Sequence, residues 1–152
     1  MAVPLLLEIK AGEKLIINGV VLECVGANTR LLVHNQAAIL RQKEVLTKEQ
    51  AATPAARAYF ALQCAYVFPR KYDTYMVLFE HFLHAYLAAA PGAAAIAADI
   101  RAAIAQGNLY QAMKRTQRLL AYEGEAVDHL QTTLKEELAR RDHGDHAPSS
   151  SS

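Results

Sequence analysis

Five cations lie within the first 43 residues: Lys10, Lys14, Arg30, Arg41 and Lys43. A lysine ammonium meets a phosphate as a point charge, and an arginine fork can bond a phosphate or a base edge with two parallel N–H groups. Cations spaced along short apolar runs permit nucleic-acid binding without establishing it. The excess is modest: Met1–Lys48 holds six Lys/Arg against four Glu, and the whole chain carries +1 at pH 7. That balance excludes both a strongly basic nucleic-acid coat and an acidic tail protein. A second group, Lys114, Arg115 and Arg118, is spaced to share one helix face. It either adds phosphate contacts to the first group or forms the solvated side of an amphipathic helix.

Other residues with chemical potential carry less. Glu80-His81 and His84 resemble a metal motif, but a zinc-protease helix needs its Glu between two histidines four apart. Asp142, His143, Asp145 and His146 cluster in a polar terminus and suggest adventitious metal at most. Cys24 and Cys64 have no paired spacing and read as reduced, buried thiols. There is no phosphate-cradling glycine loop and no base beside a nucleophile, so neither an enzyme nor a cofactor or metal is expected. All seven tyrosines (59, 66, 72, 75, 86, 110 and 122) lie in the second part of the chain. They could stack bases, but at helical spacing they fit core or interface positions.

The elements that must hold these groups change character near residue 46. Before it, runs rich in Val, Ile and Leu are separated by turn residues, and Asn18-Gly19 has the form of a type I′ hairpin turn. Five short strands follow in a compact antiparallel meander or small barrel, Leu5 to Ile9 first and Ala37 to Arg41 last. After it, Thr47-Lys48-Glu49-Gln50 has the form of a capping box around one helical turn, and Thr53-Pro54 is a helix start. Helices are expected over 54–68, 72–90, 93–106 and 109–123. One more follows Gly124, with Val127, Leu130, Leu134 and Leu138 as its stripe. The fold class is α+β: an N-terminal five-stranded antiparallel β module at 1–46, a bundle of four to five helices at 47–141, and a disordered tail at 142–152. With 152 residues and 53% hydrophobic composition the chain can bury a real core. No signal peptide or membrane span is expected, and the protein reads as cytoplasmic.

Two groups of segments carry a resemblance. GEKLIING at Gly12–Gly19, RLLVHNQAAILRQKEVLT at Arg30–Thr47 and TPAARAYFALQCAY at Thr53–Tyr66 form the first. AAIAQGNLYQAMKRTQRLLAYE at Ala102–Glu123 forms the second. Together they resemble the FlbT family of flagellum biosynthesis repressors of alphaproteobacteria, over roughly Leu5 to Glu123. The resemblance implies a post-transcriptional regulator that acts on the 5′ untranslated region of flagellin mRNA and promotes its decay. It also implies a small protein partner, FlaF-like. The order GE-x-L-x-I, short strands, then an Arg followed by an acidic residue and an aliphatic is similar, more weakly, to the mRNA-binding regulator CsrA, an intertwined dimer. That similarity puts the last-strand arginine at Arg41, while the first-strand arginine falls near Ile9, where only Lys10 is at hand.

The expected function is therefore binding of the flagellin mRNA leader, with decay or blocked translation as the outcome. Arg41 would meet base edges or phosphate, and Lys10, Lys14, Arg30 and Lys43 phosphates. Lys114, Arg115 and Arg118 form a possible secondary RNA or partner surface. The alternative is a protein-binding module whose helices grip flagellin or a FlaF-like partner. A homodimer that shares a sheet is expected, because an open strand edge invites pairing.

Overall fold

The computed structural model describes residues 4–145. Five strands, β1 (Leu5–Ile9), β2 (Lys14–Ile17), β3 (Val20–Glu23), β4 (Thr29–Val33) and β5 (Ile39–Arg41), precede a 3₁₀ turn at Gln42–Glu44. Four helices follow: α1 (Pro54–Val67), α2 (Tyr72–Ala89), α3 (Ala94–Ala105) and α4 (Leu109–Asp145). The α+β class and the five antiparallel strands agree with the sequence reading.

Strand pairing does not follow a meander. β1 pairs with β4, and β2 lies between β3 and β5 in a second sheet. Gly12, at φ 81°, lies in the turn after β1, where Glu13 N–H bonds to Lys10 C=O at 3.0 Å. That turn carries the chain out of the first sheet, and only β4 returns to pair with β1. The β2–β3 hairpin closes as the Asn-Gly pair demands, with φ of 49° at Asn18 and 84° at Gly19 and Ile17 facing Val20. Asn18 also exchanges two 2.9 Å hydrogen bonds with Ala38, its N–H to the Ala38 carbonyl and the Ala38 N–H to its side-chain oxygen.

Alternation along the strands gives the second sheet two covered faces. Leu15, Ile17 and Ile39 join Leu7 and Ile9 in a small core that includes Cys24, Leu31 and Val33. Ile16 and Leu40, on the opposite side, belong to the helical core. β3 is an edge strand with Val20, Val21 and Leu22 all exposed.

α1 starts where Thr53-Pro54 places it, with the Thr53 hydroxyl accepting the Ala56 N–H at 3.2 Å, a cap contributing about 1 kcal/mol. The Thr47 box also forms: Thr47 N–H bonds to Gln50 Oε1 at 2.9 Å and Gln50 N–H to Thr47 Oγ1 at 3.2 Å. α1 packs against α2 and α4, and α3 against α4. Phe79 and Leu83 of α2, Ile100 of α3 and Leu119 of α4 fill the centre, and fully buried Ala55, Ala58, Ala93, Ala103 and Ala112 let the helices close in.

Gly124 does not end the fourth helix. α4 runs unbroken for 37 residues, so a fifth helix is absent among the described residues. A mid-helix glycine costs roughly 1 kcal/mol, whereas extending an anchored helix needs no new nucleus. The helix continues through Asp145, past the expected boundary at 141. The expected disorder of the terminal serines, and His146, lie outside the described residues.

A cationic cleft where the two sheets meet

The end of β1, the start of β4 and the segment after β5 converge on a cleft of about 900 Å³. Its walls carry Lys10, Arg30, Arg41 and Lys43 against two carboxylates, Glu8 and Glu13. Antiparallel pairing brings these groups together from distant positions: Glu8 faces Arg30 across β1–β4, and Arg41 faces Leu15 across β2–β5. Four of the five early cations thus share one concavity. Lys14 is exposed but does not line it.

Arg41 is held in place. Its Nη1 donates to the Glu8 carbonyl at 2.9 Å and to Glu13 Oε1 at 3.0 Å. Its side chain remains 31% exposed, and Nη2 and Nε make no hydrogen bond among the described residues. One edge of the guanidinium is therefore fixed while the other can meet a ligand. Two neutral amides complete the wall. Asn28 Oδ1 accepts the Ala11 N–H at 2.9 Å, and Gln42 Oε1 accepts the Lys14 N–H at 3.2 Å. With both oxygens occupied, the NH₂ ends are the groups left to offer. The cleft is rich in donors and has no aromatic lining, which suits phosphate oxygens better than base stacking.

Sequence alone did not single out Asn28 or Gln42; their one signal is position, Asn28 two residues before Arg30 and Gln42 next to Arg41. Nor did it single out Glu44, on which the helical part takes hold. Glu44 Oε1 accepts the Arg41 N–H at 3.0 Å, its Oε2 accepts the Tyr110 hydroxyl at 2.6 Å, and its carbonyl accepts the Tyr59 hydroxyl at 2.6 Å. The Ile39 N–H donates to the Tyr66 hydroxyl at 3.1 Å, and the rings of Tyr66 and Tyr110 lie 5.9 Å apart. Burial pushes the Tyr110 phenol well above its ordinary value, and the hydrogen bond and charge of Glu44 push it further. Tyr59 is raised by burial and by the Glu44 charge, with Gln117 working the other way. These tyrosines serve as fasteners rather than base-stacking surfaces.

The second cation group is engaged elsewhere. Arg115 Nη1 donates to the Asp99 carbonyl at 2.7 Å, and Arg118 Nη1 pairs with Asp99 Oδ2 at 3.2 Å, so both tie α4 to α3. Lys114 lies over the Tyr110 ring at 5.3 Å. None of the three lines the cleft. Glu80 pairs with Arg101 at 3.0 Å, and His81 packs edge-on against Phe82. Among the described residues no three His, Cys, Asp or Glu side chains form a metal-holding group, and no helix is long and apolar enough to cross a membrane. Burial raises the Cys64 thiol pKa, the opposite of an activated nucleophile. Beyond Glu123 every α4 residue to His143 is exposed, including Val127 (45%), Leu130 (58%), Leu134 (52%) and Leu138 (59%).

Fold and cleft together define an α+β chain that gathers four cationic side chains and two carboxylates on one concave surface. Residues 5–127 match the family described as "Flagellar protein FlbT". The chain belongs to the FlbT family. It is 31% identical over 139 residues to the probable flagellum biosynthesis repressor protein FlbT 1 of Bradyrhizobium diazoefficiens, covering 89% of this chain and 92% of that one. It is 31% identical over 124 residues to the probable repressor of Rhodopseudomonas palustris, covering 82% and 98%. To the flagellum biosynthesis repressor protein FlbT of Caulobacter vibrioides it is 26% identical over 129 residues, covering 84% and 92%. No solved structure matches. A regulatory role in flagellar synthesis follows from the family.

Proposed function

We propose that this protein is a cytoplasmic post-transcriptional regulator that binds the 5′ untranslated region of flagellin mRNA in the cationic cleft, without chemistry of its own. Binding then promotes decay of the message or blocks its translation. The observation that carries this reading is the gathering of Lys10, Arg30, Arg41 and Lys43 on one concave surface. Relatives named as repressors of flagellum biosynthesis support the same direction. The lysines and Arg30 contact phosphates and set register, while the open edge of the Arg41 guanidinium meets phosphate or a base edge.

The test is a gel-shift titration of leader RNA at several salt concentrations. Four cation contacts on a single strand give a log–log salt slope of about −3. Arg41→Ala should weaken binding by roughly 1.5–3 kcal/mol, the range for hydrogen bonds to charged groups. Binding indifferent to both salt and Arg41 would remove the cleft from the mechanism.

A second reading is favoured by the exposed Val127–Leu138 stripe, which a FlaF-like partner or flagellin could cover as helix against helix. Its binding would barely respond to salt. The homodimer that shares a sheet belongs to the proposal too, through the open β3 edge. Light scattering should then give twice the chain mass, and Val21→Lys should halve it.

A further inference from the structure

We propose that Glu44 and Tyr110 are positioning residues for the cleft, through which the helical part sets the geometry of the cations it presents. This rests on the cleft being the RNA site. Arg41, Gln42 and Lys43, three of its lining residues, are consecutive, and the chain is pinned on both sides of them. Upstream, the Ile39 N–H is bonded to the Tyr66 hydroxyl of α1 at 3.1 Å. Downstream, Glu44 receives Tyr110 from α4 on its carboxylate and Tyr59 from α1 on its carbonyl, both at 2.6 Å.

The carboxylate joins the two ends of the device. Its second oxygen takes the Arg41 N–H at 3.0 Å, reaching back across the 3₁₀ turn that carries Gln42 and Lys43. A displacement of Tyr110 is passed through one carboxylate to the backbone of Arg41. No other helix-borne side chain among the described residues bonds to the carboxylate. Burial of the phenol and the charge-assisted bond make this contact stiff. Tyr110 itself leans on Tyr66 on one side and on Lys114 on another, so pressure on either reaches the cleft.

The experiment compares Tyr110→Phe, which keeps the ring and loses the hydroxyl, with Glu44→Ala and Glu44→Gln in the full chain. In the absence of RNA, hydrogen exchange of the backbone over residues 39–44 should rise several-fold in Tyr110→Phe and Glu44→Ala while α2 and α3 stay as in the wild type. With leader RNA, both variants should bind about three- to ten-fold more weakly. Their salt slope should flatten by about 0.7–1.4, as one or two phosphate contacts fall out of register. Glu44→Gln, which can accept from Arg41 and donate to the Tyr110 oxygen, should restore both readouts. Ile100→Val, a destabilising control in the helical core, should leave the slope unchanged. If wild-type binding depends on Arg41 but Tyr110→Phe changes neither exchange nor slope, the positioning role is refuted and the RNA site stands. If binding ignores Arg41, the RNA site falls and this inference with it.

Discussion

Glu13→Gln should make the protein less stable and a better RNA binder at the same time. Glu13 Oε1 lies 3.0 Å from Arg41 Nη1, and its side chain is one quarter exposed. A phosphate on the open edge of the same guanidinium comes to lie about 7 Å from that carboxylate, two charge-assisted bonds with the width of the planar fork between them. Two unit charges of like sign at that distance repel by about 0.6 kcal/mol in a fully aqueous dielectric, and by about 2.4 kcal/mol at an effective dielectric near 20. Removing the negative charge while leaving an amide oxygen for Arg41 should therefore raise RNA affinity at least two-fold at low salt. The partly exposed ion pair contributes roughly 0.5–1 kcal/mol to the fold, so urea unfolding should shift down by that amount. Opposite signs in the two assays are the useful feature, because generic damage lowers both. An affinity that falls, or does not change at low ionic strength, refutes the placement of phosphate beside Arg41.

Lys43→Ala should flatten the salt slope by about 0.7, whereas Lys14→Ala, outside the cleft, should leave it within error; equal effects would point to a diffuse surface. Stability should fall as pH rises above about 9, first through the buried thiol of Cys64 and then through the tyrosines. Tyr59, Tyr86 and Tyr110 have folded-state pKa values raised chiefly by burial, so their contribution is complete below the unfolded value and is lost as pH climbs towards the folded ones. Denaturant midpoints from pH 8 to 11.5 measure this, and a midpoint still unchanged at pH 11 refutes it. Truncation after Glu123 should leave the midpoint within about 0.5 kcal/mol of the full chain, because the remaining α4 residues to His143 are all exposed. A large loss would mean that the extension is packed in solution.

Local chemistry was legible wherever one or two residues decide a conformation. Asn18-Gly19 fixed a turn, Thr53-Pro54 a helix start and Thr47 with Gln50 a capped turn, each through backbone demands met within four residues. Strand partners were not legible, because the runs at Leu5 and Thr29 look no different from those at Lys14 and Val20. Which pairs with which depends on burying Leu7, Ile9 and Leu15 together. Gly124 misled for a related reason: its local cost is real but smaller than the gain from continuing a helix already anchored by Met113 and Leu119. In the site, the cations could be named from composition, yet their convergence needed the register of β1–β4 and β2–β5. Asn28, Gln42 and Glu44 carried no signal of type, since polar residues in turns usually serve the turn alone.

The overhang of α4 also bears on how the molecule travels through solution. The stretch from Gly124 to Asp145 rises by roughly 30 Å beyond the packed body. Drag grows with that length while mass hardly does, so the frictional ratio will exceed that of a compact domain of equal weight. A monomer will elute from a sizing column ahead of its true mass and can pass for a dimer.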